Sequence, residues 1–433
     1  MTPARESSSA GAGQREFQSH HWLGVLCGLV AGAWLGAAEA PVKLVTIGLS
    51  PWAISLCMVA GVFVARWTFP TLLKGTEYVF RDLNCRRHLI VWALLAGSLW
   101  AVANTLTVFA IRDVGLAIAF PLWNANSLIG LVWARLLFGE LKGAPRSVIV
   151  RVVLGAVAIV IAAAMLGFSS MHGGHSAGVH AARGVIAAFG ACLLWGTMYI
   201  PYRKAYISGM NPLSFVTAFT VGELFTVSLL AVTLGGGVVR ISAELEHARG
   251  LLFWLFLGGF VWVVGDLFQQ FAAKYIGIGR GIPLTNTNQL WGLAWAALVF
   301  SELRGATPAQ DLLVVGGSVT MIAGAALIGS GAASGKEHTS QNDAVLRECD
   351  RYRLDYLDTL RRVSGVEAET AGGRRWWDYL IMAVALSFFV AFAATAVVPS
   401  IGINRLWLAL LTAALLVVLA VGTFRLWRTT GFS

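Results

Sequence analysis

Residues 121–143, PLWNANSLIGLVWARLLFGELKG, recur 162 positions later as residues 283–305, PLTNTNQLWGLAWAALVFSELRG, with 14 of 23 positions identical. Each copy lies in an apolar segment of about 20 residues, the length that an α-helix needs to cross the roughly 30 Å hydrocarbon core of a membrane. A repeat of this kind fixes the architecture of a chain. The sequence therefore predicts the internal duplication of a unit built from membrane-spanning helices.

The composition of the 433 residues agrees with a membrane protein, since 57% are hydrophobic and only 12% are charged. The net charge of +10 does not indicate nucleic-acid binding, because the basic residues flank apolar segments instead of forming one basic face. Five cysteines without paired spacing do not indicate disulfides. Twelve spans are predicted, at about 22–40, 51–69, 89–111, 115–138, 148–168, 182–202, 212–236, 251–273, 279–300, 311–330, 376–399 and 405–427.

The positively charged residues predict the orientation of these spans. With the N terminus inside, the inside segments hold 24 of the 32 Lys and Arg residues and the outside loops hold 7, with Arg135 counted as the single one within a span. The positive-inside rule then places both termini in the cytoplasm, in a bacterial inner (plasma) membrane. Arg135 is expected to snorkel to the interface, with contact to an anionic substrate as the alternative.

The duplication extends over two sets of five helices. Because five is odd, the second set must enter the membrane from the opposite side, which is the inverted-topology repeat typical of secondary transporters. The sequence predicts a tail at 1–21, a first repeat at 22–168 and a second repeat at 182–330. Equivalent positions include Gly24 and Gly184, Gly36 and Gly196, Pro51 and Pro212, Gly61 and Gly222, Trp92 and Trp254, Gly97 and Gly259, and Trp100 and Trp262.

Two segments have no counterpart in either repeat. Residues 331–374 form a charged cytoplasmic linker with a helical stripe of apolar residues, and residues 375–433 form a two-helix transmembrane hairpin with a short tail. The stripe predicts an amphipathic helix. A solvated linker is the preferred interpretation, and docking on the membrane surface or on the cytoplasmic face of the body is the alternative. The stripe consists of Val345, Cys349, Tyr352, Tyr356 and Leu360.

Polar side chains follow a proline in both copies of the duplicated stretch. Pro121 and Pro283 are expected to interrupt helices four and nine, since proline removes a backbone hydrogen bond. Amides donate and accept hydrogen bonds, which suits the hydroxyl groups of a neutral polyol. We expect these polar turns to line a substrate site, with interhelical hydrogen bonding as the alternative. The candidate residues are Asn124, Asn126, Asn286, Asn288 and Gln289.

Aromatic residues near the middle of the spans extend this candidate site, because their rings stack on the C–H faces of sugars. The same residues also anchor helices at the interface or fill cores. Asn104 joins them as the repeat equivalent of Asp266. The aromatic candidates are Trp34, Trp100, Trp123, Tyr199 and Trp262.

Three acidic residues lie within predicted spans, namely Glu39, Glu223 and Asp266. A carboxylate at the bilayer centre costs roughly 3 kcal/mol or more, so such residues usually face a cavity and carry function. We predict that they couple transport to protons. A buried acid held neutral by hydrogen bonds is the alternative.

The ten-helix pattern with acidic residues closing helices four and nine, Glu140 and Glu302, resembles the drug/metabolite transporter superfamily. Within it, YIPYRKAYISGMNP at 199–212 and GIGRGIP at 277–283 resemble the glucose/ribose/rhamnose porter branch. The resemblance covers residues 22–330, and the last hundred residues depart from it. It implies a carrier of a small polar metabolite, foremost a sugar.

We therefore predict an all-α polytopic membrane protein with 5+5 inverted helices and two extra C-terminal helices, which takes up its substrate together with protons by alternating access. An exporter is one alternative, and a membrane sensor or scaffold whose C-terminal extension binds a partner is another. No enzyme motif, cofactor site or metal site is indicated. The histidines His172, His175 and His180 lack a neighbouring acid or cysteine. The oligomeric state stays open, a homodimer being one option.

Overall fold

The computed structural model describes residues 4–42, 44–45, 48–114, 119, 122–169, 179–301, 303, 307–331, 335–365, 374–398 and 402–432. All regular elements within these ranges are helical, and ten of the helices are long and apolar enough to cross a membrane. The protein is an all-α polytopic membrane protein. The helices are α1 (Ala4–Ala37), α2 (Glu39–Val42), α3 (Pro51–Leu73), α4 (Glu77–Cys85), α5 (His88–Val114), α6 (Asn126–Leu137), α7 (Arg146–Ser169), α8 (Val179–Ile207), α9 (Pro212–Leu234), α10 (Val238–His247), α11 (Leu252–Ile276), α12 (Ile278–Thr285), α13 (Asn288–Ala294), α14 (Pro308–Gly329), α15 (Gly335–Tyr352), α16 (Tyr356–Ser364), α17 (Trp376–Thr395) and α18 (Arg405–Thr430).

Ten of the twelve predicted spans correspond to these long helices, and the spans at 115–138 and 279–300 do not. In the second of these, α12 ends at Thr285, α13 begins at Asn288, and a π-helix follows at Trp295–Val299. The hydroxyl groups of Thr285 and Thr287 donate to the carbonyls of Ile282 and Leu284, each at 2.8 Å, which adds side-chain hydrogen bonds to the backbone at the break. Helix nine is interrupted, as the sequence predicts. Pro121 lies outside the described residues.

Glycines let the two repeats pack at backbone distance, and they do so in equivalent pairs. A Cβ atom on Gly61 of α3 would lie 2.1 Å from the carbonyl oxygen of Phe256 in α11. A Cβ atom on Gly222 of α9 would lie 2.3 Å from the carbonyl oxygen of Leu94 in α5. Gly61 is the sequence equivalent of Gly222, and Leu94 is that of Phe256. The second helix of each repeat therefore packs on the third helix of the other.

The glycine ladder of α1 packs against the interrupted helix nine. A Cβ atom would lie 2.8 Å from the Leu284 side chain if placed on Gly28, and 2.4 Å from the carbonyl oxygen of Asn288 if placed on Gly36. Because these distances are far below van der Waals contact, α1 approaches α12 and α13 only with glycine at these positions. The ladder is a close-packing face.

The hairpin of α17 and α18 packs on both halves of the body, since Phe389 of α17 also contacts Phe256 and Phe260 of α11. The fully buried carboxylate of Asp378, at the start of α17, accepts hydrogen bonds from the backbone nitrogen of Thr76 at 3.0 Å and from its hydroxyl group at 2.6 Å. Leu411 and Leu415 of α18 pack in an apolar cluster with Ala33 of α1. Most other side chains of the hairpin are exposed, as expected of lipid-facing helices.

One prediction about the polar segments is wrong. The linker is not solvated, because Val345 and Cys349 are buried in the main core with helices of the body. The helix α1 begins at Ala4, ahead of the predicted first span, and its apolar membrane-spanning part begins at His20. The apolar stripe of the linker packs against helices of the body.

Candidate substrate cavity and ion-pair cluster

A cavity of about 540 Å³ lies between the two repeats. This volume is within the range of small-molecule sites. Its wall holds side chains from α1, α3, α5, α8, α11 and two interrupted helices, namely helix nine and helix four, in which a turn at Ala125 precedes α6. Ten of the predicted site residues line it: Trp100, Asn104, Trp123, Asn124, Asn126, Tyr199, Trp262, Asp266, Asn286 and Asn288.

The amide side chains connect the two interrupted helices and leave donors for a ligand. The side-chain nitrogen of Asn286 donates to the carbonyl oxygen of Asn124 at 3.2 Å, and Tyr199 donates to the side-chain oxygen of Asn126 at 3.1 Å. Within the described part of the chain, the side-chain nitrogens of Asn104 and Asn124 have no hydrogen-bond partner. Because buried polar groups are normally paired, these two N–H donors fit an oxygen-rich ligand.

Two pairs of tryptophans form aromatic walls of the cavity. Trp100 and Trp262, which are equivalent in the repeat, have ring centroids 5.0 Å apart and an interplanar angle of 61°. Trp123 and Trp195 are 6.1 Å apart at 87°. Trp195 lines the cavity as well. Such ring faces can accept the C–H surface of a sugar ring.

The predicted positions of Trp34 and Gln289 are corrected by the structure, since neither lines the cavity. Trp34 packs against the apolar cluster that contains Trp295 and Leu411, because the hairpin covers that face of α1. The side chain of Gln289 is directed to Asn288, with its nitrogen 3.5 Å from the Asn288 side-chain oxygen. The side chain of Glu39 lies outside the described residues.

A buried cluster of one cation and two carboxylates borders the cavity. The guanidinium group of Arg66 in α3 donates to Glu223 of α9 at 2.9 Å and to Asp266 of α11 at 2.7 Å. The three side chains are at most 1% exposed. Arg66 also lies 4.2 Å from the ring centroid of Phe219. Asp266 lines the cavity and Glu223 lies behind it.

The ion-pair cluster corrects the expectation that Arg135 is the single Lys or Arg residue within a span. The helix α3 continues to Leu73, so Arg66 lies inside a span and Arg135 is not the only basic residue there. The position of Arg66 within the predicted span at 51–69 already indicated that it lies inside the membrane. Arg135 itself is exposed on α6.

The second oxygen of Asp266 belongs to a polar chain that runs away from the cavity. The side-chain nitrogen of Gln270 donates to Asp266 Oδ1 at 2.7 Å, and the Tyr206 hydroxyl group donates to the Gln270 side-chain oxygen. If both carboxylates are ionised, the cluster carries one net negative charge. A single bound proton makes it neutral.

Glu140, the acid that closes helix four, binds the start of the interrupted helix nine. Its carboxylate accepts hydrogen bonds from the backbone nitrogens of Ile278 at 3.2 Å and Gly279 at 2.9 Å, and it lies 2.8 Å from Nε of Arg203. Gly277 has φ of 81°, and a Cβ atom there would lie 2.4 Å from the carboxylate. This contact explains Gly277, the first glycine of the 277–283 motif. Glu302, its repeat equivalent, lies outside the described residues.

Among the described residues, no group of three His, Cys, Asp or Glu side chains is arranged to hold a metal ion. His172 and His175, and the side chain of His180, lie outside the described residues.

The comparisons with known proteins find distant sequence relatives. The chain matches no protein-family model. It is 22% identical over 258 residues, or 58% of its length, to a candidate sugar uptake protein of Listeria monocytogenes, of which the match covers 83%. A second protein of that organism with the same description is 22% identical over 55% of this chain and 77% of its own length. One from Enterococcus faecalis is 26% identical over 122 residues, covering 28% of this chain and 38% of that protein.

A solved structure covers 69% of this chain and 95% of its own, with 14% identity and a TM-score of 0.46. The sequence relatives and the ten apolar helices support a membrane transporter.

Proposed function

We propose that the protein is a secondary carrier that takes up a small neutral sugar together with a proton. In this proposal it belongs to the drug/metabolite transporter superfamily, its termini lie in the cytoplasm of a bacterial cell, and residues 22–168 and 182–330 form the inverted repeats. Alternating access moves the substrate between them. The observation that carries the proposal is the position of Asp266, which lines the cavity and is bonded to a buried cation.

The lining of the cavity supports a polyhydroxylated, uncharged substrate. Asn104 and Asn124 offer unpaired N–H donors, and the pair of Trp100 and Trp262 offers an apolar ring surface. A substrate with hydroxyl groups on one side and C–H bonds on the other satisfies both. The sugar uptake relatives point to the same class of substrate.

The charges of the ion-pair cluster support proton coupling. The cluster has one cation and two carboxylates, so one carboxylate lacks a full counter-charge in apolar surroundings. Burying that negative charge costs free energy unless a proton or a ligand neutralises it. Asp266 is reached from the cavity, so a proton and a substrate meet in the same place. Glu223 and Arg66 hold the cluster between two repeats that must move relative to each other.

The equivalent glycine contacts support an inverted repeat. Gly61 and Gly222 make the same kind of contact from the two repeats, so exchanging the repeats leaves the packing scheme unchanged. Such a symmetry lets the two repeats exchange their conformations. The cavity then opens first to one side of the membrane and afterwards to the other.

The test is flux in proteoliposomes that contain the purified full chain. With an imposed inward proton gradient, radiolabelled rhamnose, ribose or glucose should accumulate above its external concentration, and a protonophore should abolish this accumulation. An exporter would show the opposite direction of coupling. Binding of a sugar without any flux would favour a sensor and contradict the carrier.

A further inference from the structure

Residues 335–365, called here the clamp segment, contain α15 and α16 and have no counterpart in either repeat. The segment contributes nothing to the cavity wall. It is nevertheless tightly held, because Val345 is fully buried and Cys349 is 2% exposed in the core of the body. Its apolar stripe is thus a docking face for the helices of the repeats.

One end of the clamp segment connects the two interrupted helices. The carboxylate of Glu337 binds the guanidinium group of Arg280 in α12 with two hydrogen bonds, at 2.7 and 2.9 Å. It also accepts a hydrogen bond at 3.2 Å from the backbone nitrogen of Leu141, which follows helix four. This connection lies next to Glu140, which itself binds the start of α12. A single carboxylate of the clamp segment therefore ties helix four to helix nine.

The middle of the clamp segment connects α8 to α5. The carboxylate of Glu348 forms a buried ion pair with Lys204, near the end of α8. The ring of Tyr352 stacks on His88, the first residue of α5, with centroids 3.8 Å apart and an interplanar angle of 12°. The Lys204 ammonium group also lies 4.8 Å from the Tyr352 ring centroid. Here too, one helix of each repeat is held.

These contacts lie at the end of the molecule remote from the mouth of the cavity. The cavity is lined by Pro51 at the start of α3 and by Arg112 near the end of α5, whereas the clamp segment contacts His88 at the start of α5. At 1.5 Å per residue, His88 and Arg112 stand about 36 Å apart along that helix. The clamp segment therefore covers the end of the molecule opposite the mouth of the cavity, which is called here the closed end.

We propose that the clamp segment is an autoinhibitory clamp, which holds the closed end shut and must release before the cavity can open there. The inference rests on the proposed alternating access. The clamp makes its polar contacts to both repeats at the one end where they must separate. Releasing it exposes Arg280 and Lys204 to water, so no unpaired charge is left buried.

The native Cys349 reports release directly. Burial raises the pKa of its thiol, so that labelling by a maleimide is slow while the clamp is docked. We would use the full chain with the other four cysteines replaced by alanine or serine. Labelling of Cys349 should accelerate at least about tenfold in the Glu337→Gln/Glu348→Gln variant, since each charge-assisted hydrogen bond is worth a factor of this order or more. Val345→Lys, which disrupts the apolar face instead, should give the same result.

The matched control is Asp343→Asn, an acid on the exposed face of the same helix, which should label like the parent. The second reporter is Met58→Cys in the cavity wall, with Cys349 also replaced. In the release variants its labelling from the cavity side should slow several-fold, because molecules leave the conformation that is open there. Sugar counterflow should become faster in the same variants.

Three results would overturn the clamp. One is unchanged Cys349 labelling in both release variants. Another is faster Cys349 labelling with unchanged Met58→Cys labelling, which would make the segment merely docked. The third is slower counterflow together with unchanged labelling of Cys349 and of Met58→Cys, which would make the clamp segment a structural support. Failure of the carrier proposal looks different, because the parent and all variants would then show no flux while the labelling of Met58→Cys still shifts.

Discussion

Arg66 of the first repeat donates a hydrogen bond of 2.7 Å to Asp266 of the second, and both side chains are buried. A buried ion pair is weak evidence for stability, because the cost of removing two charges from water offsets much of their attraction. Here the cation is shared with Glu223, which leaves an excess of negative charge. An arrangement with this cost persists in a membrane protein where it serves a function.

The first prediction concerns coupling. Asp266→Asn should abolish accumulation driven by a proton gradient and should retain substrate binding and counterflow, because exchange requires no net movement of protons. Glu223→Gln should do the same if Glu223 carries the proton instead. The measurement is uptake into proteoliposomes over a range of external pH, beside counterflow in the same vesicles.

Arg135→Ala is the control for this experiment, since Arg135 is an exposed cation of α6. It should lower yield or stability without separating accumulation from counterflow. If both acid variants accumulate substrate as well as the parent at every external pH, proton symport is wrong.

The second prediction concerns the charge balance of the ion-pair cluster. Arg66→Gln leaves two buried carboxylates without their cation, and removing one partner of a buried pair typically costs about 3–5 kcal/mol. The double variant Arg66→Gln/Glu223→Gln removes one of these carboxylates and should recover a large part of the lost stability. The measurement is the thermal unfolding midpoint in detergent for the parent, both single variants and the double variant. Additive effects of the two substitutions would contradict the shared-cation arrangement.

The sequence predicted those parts of the site that the duplication repeats. Asn124 and Asn286, like Trp100 and Trp262, occupy equivalent positions of the duplicated sequence, and all four line the cavity. Trp34 is also an aromatic candidate, but it does not line the cavity. The hairpin covers its face of α1, and the hairpin has no equivalent in the repeat.

The partners of the acidic residues could not be predicted. Arg66 lies 157 residues from Glu223 and 200 residues from Asp266 along the chain, and only the packing of three helices brings them together. The docking of the linker was hidden for a similar reason. Its apolar stripe is visible in the sequence at Val345 and Cys349, but no local pattern identifies a receiving surface on α5 and α8.

The third prediction concerns substrate recognition. Asn124→Ala removes an unpaired N–H donor from the cavity wall, so substrate affinity should fall about 3- to 10-fold, the worth of one neutral hydrogen bond. The measurement is the KM of counterflow together with the Kd from calorimetry. Gln289→Ala is the matched control, because this amide belongs to the same polar turns and does not line the cavity. Equal loss of affinity in both variants would contradict the assigned site.

The fourth prediction concerns the attachment of the hairpin. Hydrogen bonding and attraction to Arg375, 2.9 Å away, lower the pKa of Glu77. The lowered pKa means that the contribution of this pair to stability is present above the ordinary glutamate pKa of about 4.3 and is lost as the pH falls through the lowered value. The difference in unfolding midpoint between the parent and Glu77→Gln should therefore be small, as for an exposed pair, and should vanish in acid. A difference that grows as the pH falls would contradict this assignment.

The last prediction concerns the packing between the repeats. A Cβ atom on Gly259 of α11 would lie 2.0 Å from the carbonyl oxygen of Met58 in α3, so Gly259→Ala forces the two backbones apart. Gly190 in α8 is the matched control, because a Cβ atom there would meet only the flexible Leu106 side chain, at 3.2 Å. Intrinsic helix propensity favours alanine at both positions by about 0.5–1 kcal/mol, so the propensity term alone raises the unfolding midpoint of both variants. We expect Gly259→Ala to lower the midpoint strongly, or to prevent the isolation of monodisperse protein, and Gly190→Ala to leave it unchanged or slightly raised. Equal midpoints in the two variants would mean that α3 and α11 do not approach each other at backbone distance.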